Sequence, residues 1–234
     1  MFQFKQFSVK QEYSAMKIGT DSVLLGAWAA SNNPQRILDI GAGTGILSLM
    51  MAQRFPTACI HAIEITPEAT QECRENISLS PWKDRISVYQ EDIRIFSKVD
   101  KHKYDLIISN PPFFTEKVLS PNFQRSLSRS NLELPFEELL YCVSQLLSPI
   151  GTFAVIIPYK EESVFKQLAQ KDNLYPSDIL HVKGNINTPI KRSLLLFSFE
   201  QKINPLIKVL TIEKERHLYT KEYQELTKNF YLKF

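Results

Sequence analysis

The chain has 234 residues, of which 44% are hydrophobic and 23% are charged, and its formal net charge is +3. This length and composition are typical of one globular α/β domain with additions, and the mild positive charge permits an anionic partner without demanding one. The N-terminus lacks the apolar run of a signal peptide, and no apolar stretch is long enough to span a bilayer. We therefore expect a cytoplasmic protein that does not bind a membrane.

Neither the cysteines nor the histidines indicate a metal site. Cys59, Cys73 and Cys142 form no CxxC motif, so we interpret them as small buried residues of a reducing compartment. The four histidines are scattered along the sequence. We therefore expect no bound metal ion.

Apolar strand-like runs alternate with helical periodicity along most of the chain. An arm at residues 2–10 precedes a predicted helix that has Thr20 or Asp21 as its N-cap, is apolar over 23–30 and is ended by 32–34. The predicted strands cover 36–40, 59–63, 85–89, 104–109, 151–158, 178–182, 193–199 and 206–213. The predicted helices cover 46–54, 66–80, 135–147 and 161–171, and a short one follows Thr220.

This alternation predicts a doubly wound, mostly parallel sheet. There is no internal repeat and no break in composition, so we expect a single domain over 1–234 with an N-terminal arm and a C-terminal tail. The polar, serine-rich stretch 116–131 is predicted to be a long loop over the site.

A glycine-rich turn follows the first strand of the sheet and precedes a helix. It contains Gly41, Gly43 and Gly45, but position 46 is isoleucine, so the dinucleotide fingerprint G-x-G-x-x-G is not met. Asp39, at the strand end, is a poor neighbour for a pyrophosphate and a good one for a ligand that carries a cationic amino group.

Two further acids follow the next two strands. Glu64 lies where a carboxylate binds ribose hydroxyls, and Asp92 is placed to accept from an adenine amino group, with the Ile93 region over the ring. Each acid alone could be a turn former or a solvated strand end. Together they indicate a ligand with adenine, ribose and a positively charged tail but no phosphate, which is S-adenosylmethionine.

The sequence Asn110-Pro111-Pro112-Phe113 follows the fourth strand of the sheet. Consecutive prolines make a rigid, extended turn that holds the Asn110 carboxamide and the Pro111 carbonyl as two neighbouring acceptors. With the Phe113 ring as a stacking face, this arrangement suits a planar group that bears an NH2. An ordinary Asn-Pro turn is the alternative interpretation.

These motifs resemble the class I S-adenosylmethionine-dependent methyltransferases that methylate amino groups. The resemblance implies a Rossmann-like fold with a doubly wound, mostly parallel seven-stranded sheet and an antiparallel edge strand. It implies that the cofactor-binding residues are Asp39, Gly41, Ala42, Gly43, Gly45, Glu64, Ile65, Asp92, Ile93 and Asn110. It assigns catalysis to Asn110, Pro111, Pro112 and Phe113.

The two ends of the chain resemble a narrower group, the bacterial tRNA1(Val) adenine N6-methyltransferase family. The matching segments are 7–11, 15–28, 80–82, 110–114, 219–223 and 229–233, with Arg125 and Arg129. The resemblance implies methyl transfer to N6 of the adenine just 3′ of the anticodon, with tRNA as partner. We expect the enzyme to be a monomer, although the sequence does not determine the oligomeric state. Lys17, Arg125 and Arg129 are the candidate contacts to the tRNA backbone.

Other functions remain open from the motifs alone. The same Asn-Pro-Pro-aromatic turn serves enzymes that methylate a release-factor glutamine or guanine N2 of ribosomal RNA, because all present a planar NH2. A non-catalytic RNA-binding protein with this fold is a further alternative, although the intact set of acids argues against it. A nicotinamide-dependent enzyme is disfavoured because the third glycine of its fingerprint is missing.

Overall fold

The computed structural model describes residues 1–13, 17–29, 33–112 and 134–233. The strands in these ranges are β1 (Phe2–Gln3), β2 (Ser8–Val9), β3 (Arg36–Ile40), β4 (Cys59–Glu64), β5 (Ile86–Gln90), β6 (Tyr104–Ser109), β7 (Leu147–Pro158), β8 (Tyr175–Asn185), β9 (Ile190–Ser198), β10 (Leu206–Glu215) and β11 (Leu218–Tyr219). The α-helices are α1 (Thr20–Trp28), α2 (Ile46–Arg54), α3 (Pro67–Ser78), α4 (Ile93–Val99), α5 (Phe136–Leu146), α6 (Glu162–Lys171) and α7 (Lys221–Thr227).

Within the described ranges, nine strands form one sheet in the order β11-β10-β8-β9-β7-β6-β3-β4-β5. The strands β7, β6, β3, β4 and β5 pair in parallel, and β10 is parallel to β8. In contrast, β9 is antiparallel to both of its neighbours, and β11 is antiparallel to β10 at the edge. β1 and β2 form a separate antiparallel pair.

The predicted doubly wound, mostly parallel sheet with an antiparallel edge strand is confirmed. The sheet has nine strands in the described part of the chain and not the expected seven, because β10 and β11 continue it beyond β8. A longer antiparallel strand, β9, also lies inside the sheet. The chain returns there directly from β8, and two antiparallel neighbours need only a tight connection.

Apolar cores lie on both faces of this sheet. One core includes side chains of α1, α2, α3 and α7, and the other includes side chains of α4, α5 and α6. Strands buried on both faces must be apolar throughout, which explains continuous runs such as Leu106 to Ile108 and Phe153 to Ile157. The polar groups of the site lie at the carboxyl ends of the central parallel strands, next to these apolar runs.

Several local predictions were wrong. Gly19, and not Thr20 or Asp21, is the N-cap of α1, which ends at Trp28. The helix α4 was not anticipated, and Asp92 caps it by accepting from the backbone N–H of Arg94 at 2.8 Å. Cys59 is exposed and not buried. The predicted loop over 116–131 lies outside the described residues.

None of the helices in the described part of the chain has the length and the apolar composition that crossing a lipid bilayer requires.

Candidate active site

The four polar residues predicted from the strand ends lie along one edge of the sheet. The parallel strands β6, β3, β4 and β5 are neighbours in that order, so their carboxyl ends present Asn110, Asp39, Glu64 and Asp92 side by side. The Ser109 hydroxyl donates to the Ile40 carbonyl oxygen at 2.9 Å and joins the ends of β6 and β3. The structure therefore brings the residues together as predicted.

The glycine-rich turn is held against β4 by its own backbone. The N–H groups of Gly41 and Ala42 both donate to the Ile63 carbonyl oxygen, at 2.9 and 3.0 Å. Gly45, the N-cap of α2, has a φ of 82°, and an added Cβ there would lie 2.9 Å from the Cys73 sulfur. A Cβ added at Gly43 would meet nothing within 4 Å, so the turn borders open space on that side.

Asp39 is a fully buried carboxylate with one occupied oxygen. Its Oδ2 accepts from the Ser48 backbone N–H at 3.0 Å and from the Ser48 hydroxyl at 2.7 Å. Its Oδ1 is buried and has no hydrogen-bond partner among the described residues. Burial raises the pKa of Asp39 to about 7, because a charge without solvent is costly. A cationic donor at Oδ1 would satisfy both the oxygen and the charge.

Glu64 connects the glycine turn to the start of α3. Its Oε2 accepts from the Gly43 backbone N–H at 2.9 Å, and its Oε1 accepts from the Thr66 backbone N–H at 2.9 Å. A carboxylate has about four lone-pair sites, so each oxygen retains capacity for one more donor. Glu64 therefore shapes the turn as well as presenting acceptors for hydroxyl groups.

Asp92 is bound to Arg94, which sequence reasoning did not anticipate. The Arg94 Nε donates to both carboxylate oxygens, at 2.9 and 2.8 Å, and Nη2 also donates to Oδ2. These hydrogen bonds lower the pKa of Asp92. Arg94 also pairs with Glu138 on α5 at 3.1 Å. An adenine amino group that bonds to Asp92 must therefore displace part of the guanidinium.

Asn110 presents its carboxamide oxygen as a second acceptor that has no partner in the described part of the chain. Its Nδ2 donates to the Ser22 hydroxyl on α1 at 3.0 Å, whereas its Oδ1 is buried and unpaired among the described residues. Pro111 is buried and Pro112 is exposed. Phe113 lies outside the described residues. The amide is therefore oriented with its oxygen free to accept.

The comparisons with known proteins agree with this geometry. Residues 7–134 match a family model described as "Methyltransferase small domain". A tRNA1(Val) (adenine(37)-N6)-methyltransferase of Flavobacterium psychrophilum is 50% identical over 234 residues, which is 100% of both chains. A protein of the same name from Bacteroides fragilis is 49% identical over 233 residues, covering 99% of this chain and 98% of the relative.

The chain belongs to the tRNA1(Val) (adenine(37)-N6)-methyltransferase family.

Solved structures extend the comparison to the fold alone. A structure described as a predicted O-methyltransferase from Agrobacterium tumefaciens gives a TM-score of 0.67 at 18% identity, covering 90% of this chain and 96% of that one. A methyltransferase subunit of a type I restriction-modification system from Streptococcus thermophilus gives a TM-score of 0.62 at 16% identity, covering 93% and 53%. The shared feature is the class I methyltransferase fold.

The chain is an enzyme whose methyl donor is S-adenosylmethionine. The residues present fit this donor. Asp39 Oδ1 is a buried acceptor with no partner in the described ranges, as an ammonium group requires. The glycine turn leaves space beyond Gly43, and Glu64 presents carboxylate oxygens beside it. Ala42 and Ile93 are buried in the same edge, and Ile65 is partly buried.

Of the three predicted contacts to tRNA, Lys17, Arg125 and Arg129, the structure describes only Lys17. Lys17 is exposed, but its ammonium donates to the carbonyl oxygens of Gln11 and Glu12. These hydrogen bonds connect Lys17 to residues 11 and 12 of the same N-terminal segment. Arg125 and Arg129 lie outside the described residues, so their contact with tRNA stays a prediction.

Two buried polar residues on α3 were missed by sequence reasoning. Asn76 accepts from the Lys10 backbone N–H at 2.8 Å and donates to the carbonyl oxygens of Lys10 and Thr44, both at 2.9 Å. Glu72 accepts from the backbone N–H groups of Glu12 and Tyr13. These bonds fasten the N-terminal arm over α3 and the glycine turn. The available signal was the spacing of two polar residues four apart on the buried face of a helix.

Two histidines that are distant in sequence meet at the opposite end of the sheet. His61 Nδ1 lies 2.7 Å from the Tyr104 hydroxyl, which donates to Asp100, and His102 Nδ1 lies 2.6 Å from Asp100. Ligand atoms of His61, Asp100 and His102 lie within 4.8 Å of one another. Both Asp100 oxygens already accept hydrogen bonds, so we interpret the group as a hydrogen-bonded network beside the start of β6.

Proposed function

We propose that this enzyme transfers a methyl group from S-adenosylmethionine to N6 of adenine 37 in tRNA1(Val), which is the substrate given in the names of its relatives. One observation supports the proposal most directly. Two adjacent strand ends each present a buried oxygen without a partner among the described residues, Asp39 Oδ1 and Asn110 Oδ1. One acceptor suits the ammonium group of the donor, and the other suits an aromatic amine.

Asn110 and Pro111 are proposed to bind the target amine. The lone pair of an adenine amino group is delocalised into the ring, so the nitrogen is a poor nucleophile. If Asn110 Oδ1 and the Pro111 carbonyl oxygen accept hydrogen bonds from its two N–H groups, they favour the electronic form of the amine that has more electron density on nitrogen. They also stabilise the positive charge that develops there, which is the main catalytic effect expected of preorganised dipoles.

Rigidity is the second contribution of this turn. Pro111 and Pro112 fix their φ angles, and the Ser109 hydroxyl holds the strand end against β3. The acceptors therefore need little reorganisation when the substrate arrives, and proximity and alignment lower the barrier. Phe113 remains the proposed stacking partner of the base, a contact worth about 1–3 kcal/mol in single-strand binders.

Bound S-adenosylmethionine supplies a methyl group activated on a sulfonium centre. The proposed contributions of this chain are to hold its amino group with Asp39, its ribose hydroxyls with Glu64 and its adenine beside Asp92 and Ile93. The N6 nitrogen is the nucleophile, so no side chain has to act as one. The proton that N6 loses after it gains the methyl group passes to solvent, and S-adenosylhomocysteine is the other product. We do not assign a metal ion to the reaction.

The substrate adenine must leave its stack to reach Asn110. Lys17, Arg125 and Arg129 are the proposed phosphate contacts, and their effect should weaken as the salt concentration rises. A tRNA substrate implies that the enzyme works in the cytoplasm. We propose that it does so as a monomer, with residues 1–234 forming one domain.

The test is methyl transfer to unmodified tRNA1(Val) from labelled S-adenosylmethionine, followed by nucleoside analysis by mass spectrometry. We expect N6-methyladenosine at position 37 from the wild type and a strongly reduced but measurable amount from Asn110→Ala, as is usual when one preorganised polar group is removed from an active site. Asn204→Ala, an exposed asparagine in the connection before β10, is the matched control and should be fully active.

Other outcomes would redirect the proposal. Transfer to a release factor or to ribosomal RNA, and not to this tRNA, would keep the reaction and reject the substrate. If calorimetry shows that the donor binds, but no methyl group reaches the tRNA, a release factor or ribosomal RNA, the alternative of a non-catalytic RNA-binding protein would be favoured.

A further inference from the structure

Ser22 lies on α1, far from the glycine turn and the Asn-Pro-Pro motif in sequence, yet its hydroxyl contacts the proposed catalytic amide. Asn110 Nδ2 donates to Ser22 Oγ at 3.0 Å across 88 positions of sequence. The carboxamide has one end that accepts and one that donates. A serine hydroxyl can accept or donate, and in the structure it accepts from Nδ2, so Oδ1 is the end left to face the substrate.

We infer that Ser22 is a positioning residue, which orients the Asn110 carboxamide so that Oδ1 faces the substrate amine. The inference rests on the proposed function, because it needs Asn110 to accept from that amine. In the opposite orientation Nδ2 would face an amino group, and two donors would oppose each other. The buried Oδ1 without a partner in the described ranges shows that the present orientation leaves the acceptor available.

The start of α1 is held firmly enough for this role. The neighbouring Asp21 accepts from the Arg192 Nε on β9 at 2.7 Å, which ties the first turn of the helix to the sheet. The next residues, Val23, Leu24 and Leu25, are buried in the core. Ser22 is thus placed by one ion pair and by apolar packing, and it does not depend on a loop.

The contact also affects the strength of the acceptor. A carboxamide that donates through its nitrogen is polarised, and its oxygen becomes a better acceptor. This effect matters most when positive charge develops on the substrate nitrogen, and hence in the transition state. A loss of Ser22 should therefore lower kcat and leave binding of the donor unchanged.

The first test compares Ser22→Ala with Ser22→Thr. We expect Ser22→Ala to lower kcat about fivefold, the effect of one neutral hydrogen bond, with the KM for tRNA and the Kd for S-adenosylhomocysteine unchanged. Ser22→Thr keeps the hydroxyl and should restore most of the rate. Ser144→Ala on α5, whose hydroxyl donates to the Tyr141 carbonyl oxygen, is the matched control and should match the wild type.

The second test shows whether Ser22 acts through Asn110. Adding Ser22→Ala to Asn110→Ala should slow the residual reaction no further, because the oriented group is already absent. In 15N spectra the side-chain amide signal of Asn110, identified by its loss in Asn110→Ala, should shift in Ser22→Ala and return towards its position in Ser22→Thr.

The inference and the proposed function fail differently. If the wild type is active and Asn110→Ala is strongly impaired, an unchanged kcat in Ser22→Ala would overturn the inference alone. Additive losses in the double variant would also overturn it. If the wild type methylates no adenine in tRNA, the proposed function fails first, and the amide signal still reports whether Ser22 orients Asn110.

Discussion

The Asp39 carboxylate accepts two hydrogen bonds from Ser48, one from the backbone N–H at 3.0 Å and one from the hydroxyl at 2.7 Å. Both bonds reach Oδ2, so Ser48 at the start of α2 fixes the rotation of the carboxylate and directs Oδ1 away from itself. The carboxyl end of β3 thus presents one acceptor of defined direction, and burial makes its charge costly until a cation arrives.

Donor affinity should depend on the ionisation of Asp39. Its pKa is raised to about 7, so below that value a proton must leave before the carboxylate can receive an ammonium group. We expect the affinity for S-adenosylhomocysteine to rise up to about tenfold per pH unit between about pH 5 and 6.5, and to level off above about pH 7.5. Calorimetry over this range measures it.

The control for this prediction is Asp39→Asn, which carries no titratable group at the position. Its affinity should be weak and nearly independent of pH. A wild-type affinity that is equally flat from about pH 5 to 8 would contradict an ionisation linked to binding.

The same group predicts a stability difference. The folded-state pKa of Asp39 is raised above its ordinary value of 3.8, so the stability it provides is complete below that value and is lost as the pH rises through about 7. Asp39→Asn cannot show this loss. Its free energy of unfolding, measured by urea titration without ligand, should therefore increase relative to the wild type as the pH rises from about 4 to 8. A constant difference would show that Asp39 does not titrate with a raised pKa.

Gly45→Ala should disrupt the glycine turn for two separable reasons. Gly45 has a φ of 82°, and an added Cβ would lie 2.9 Å from the Cys73 sulfur. The left-handed backbone alone should cost about 1–2 kcal/mol of unfolding free energy, and the overlap adds to it. Urea unfolding and calorimetry with S-adenosylhomocysteine measure the two consequences.

Cys73→Ala separates the two causes in the Gly45→Ala background. It should recover the part of the loss that comes from overlap and leave the part that comes from the backbone. Gly184→Ala is the control, since an added Cβ there meets only the Thr188 hydroxyl oxygen at 3.6 Å. Full recovery in the double variant would mean that the positive φ carries no cost.

Arg94→Ala should strengthen donor binding. In the structure the guanidinium occupies both oxygens of Asp92, and a ligand amino group must compete with it. Without the guanidinium the carboxylate is available, so we expect the Kd for S-adenosylhomocysteine to fall about two- to fivefold, the size of one hydrogen bond. Weaker binding in this variant would mean that Arg94 itself supports the ligand.

Much of the fold was available from the sequence, because its signals are local. The strands 36–40 and 104–109 and the helix 46–54 were predicted with the bounds that the structure shows. Each combines a continuous apolar run or helical periodicity with glycine or proline at its end. The helix α4 escaped prediction because it is short and its N-cap, Asp92, was interpreted only as a ligand contact.

The sequence by itself determined most of the strands and helices in chain order, the glycine turn, and the acids and amide at successive strand ends. Those features depend on residues a few positions apart. Only the tertiary structure decided three hydrogen-bonded contacts: Ser22 with Asn110, Arg94 with Asp92, and Asn76 with the N-terminal arm at Lys10. The partner with which a polar side chain forms a hydrogen bond depends on how separate elements pack. That packing is set by the apolar cores on the two faces of the sheet.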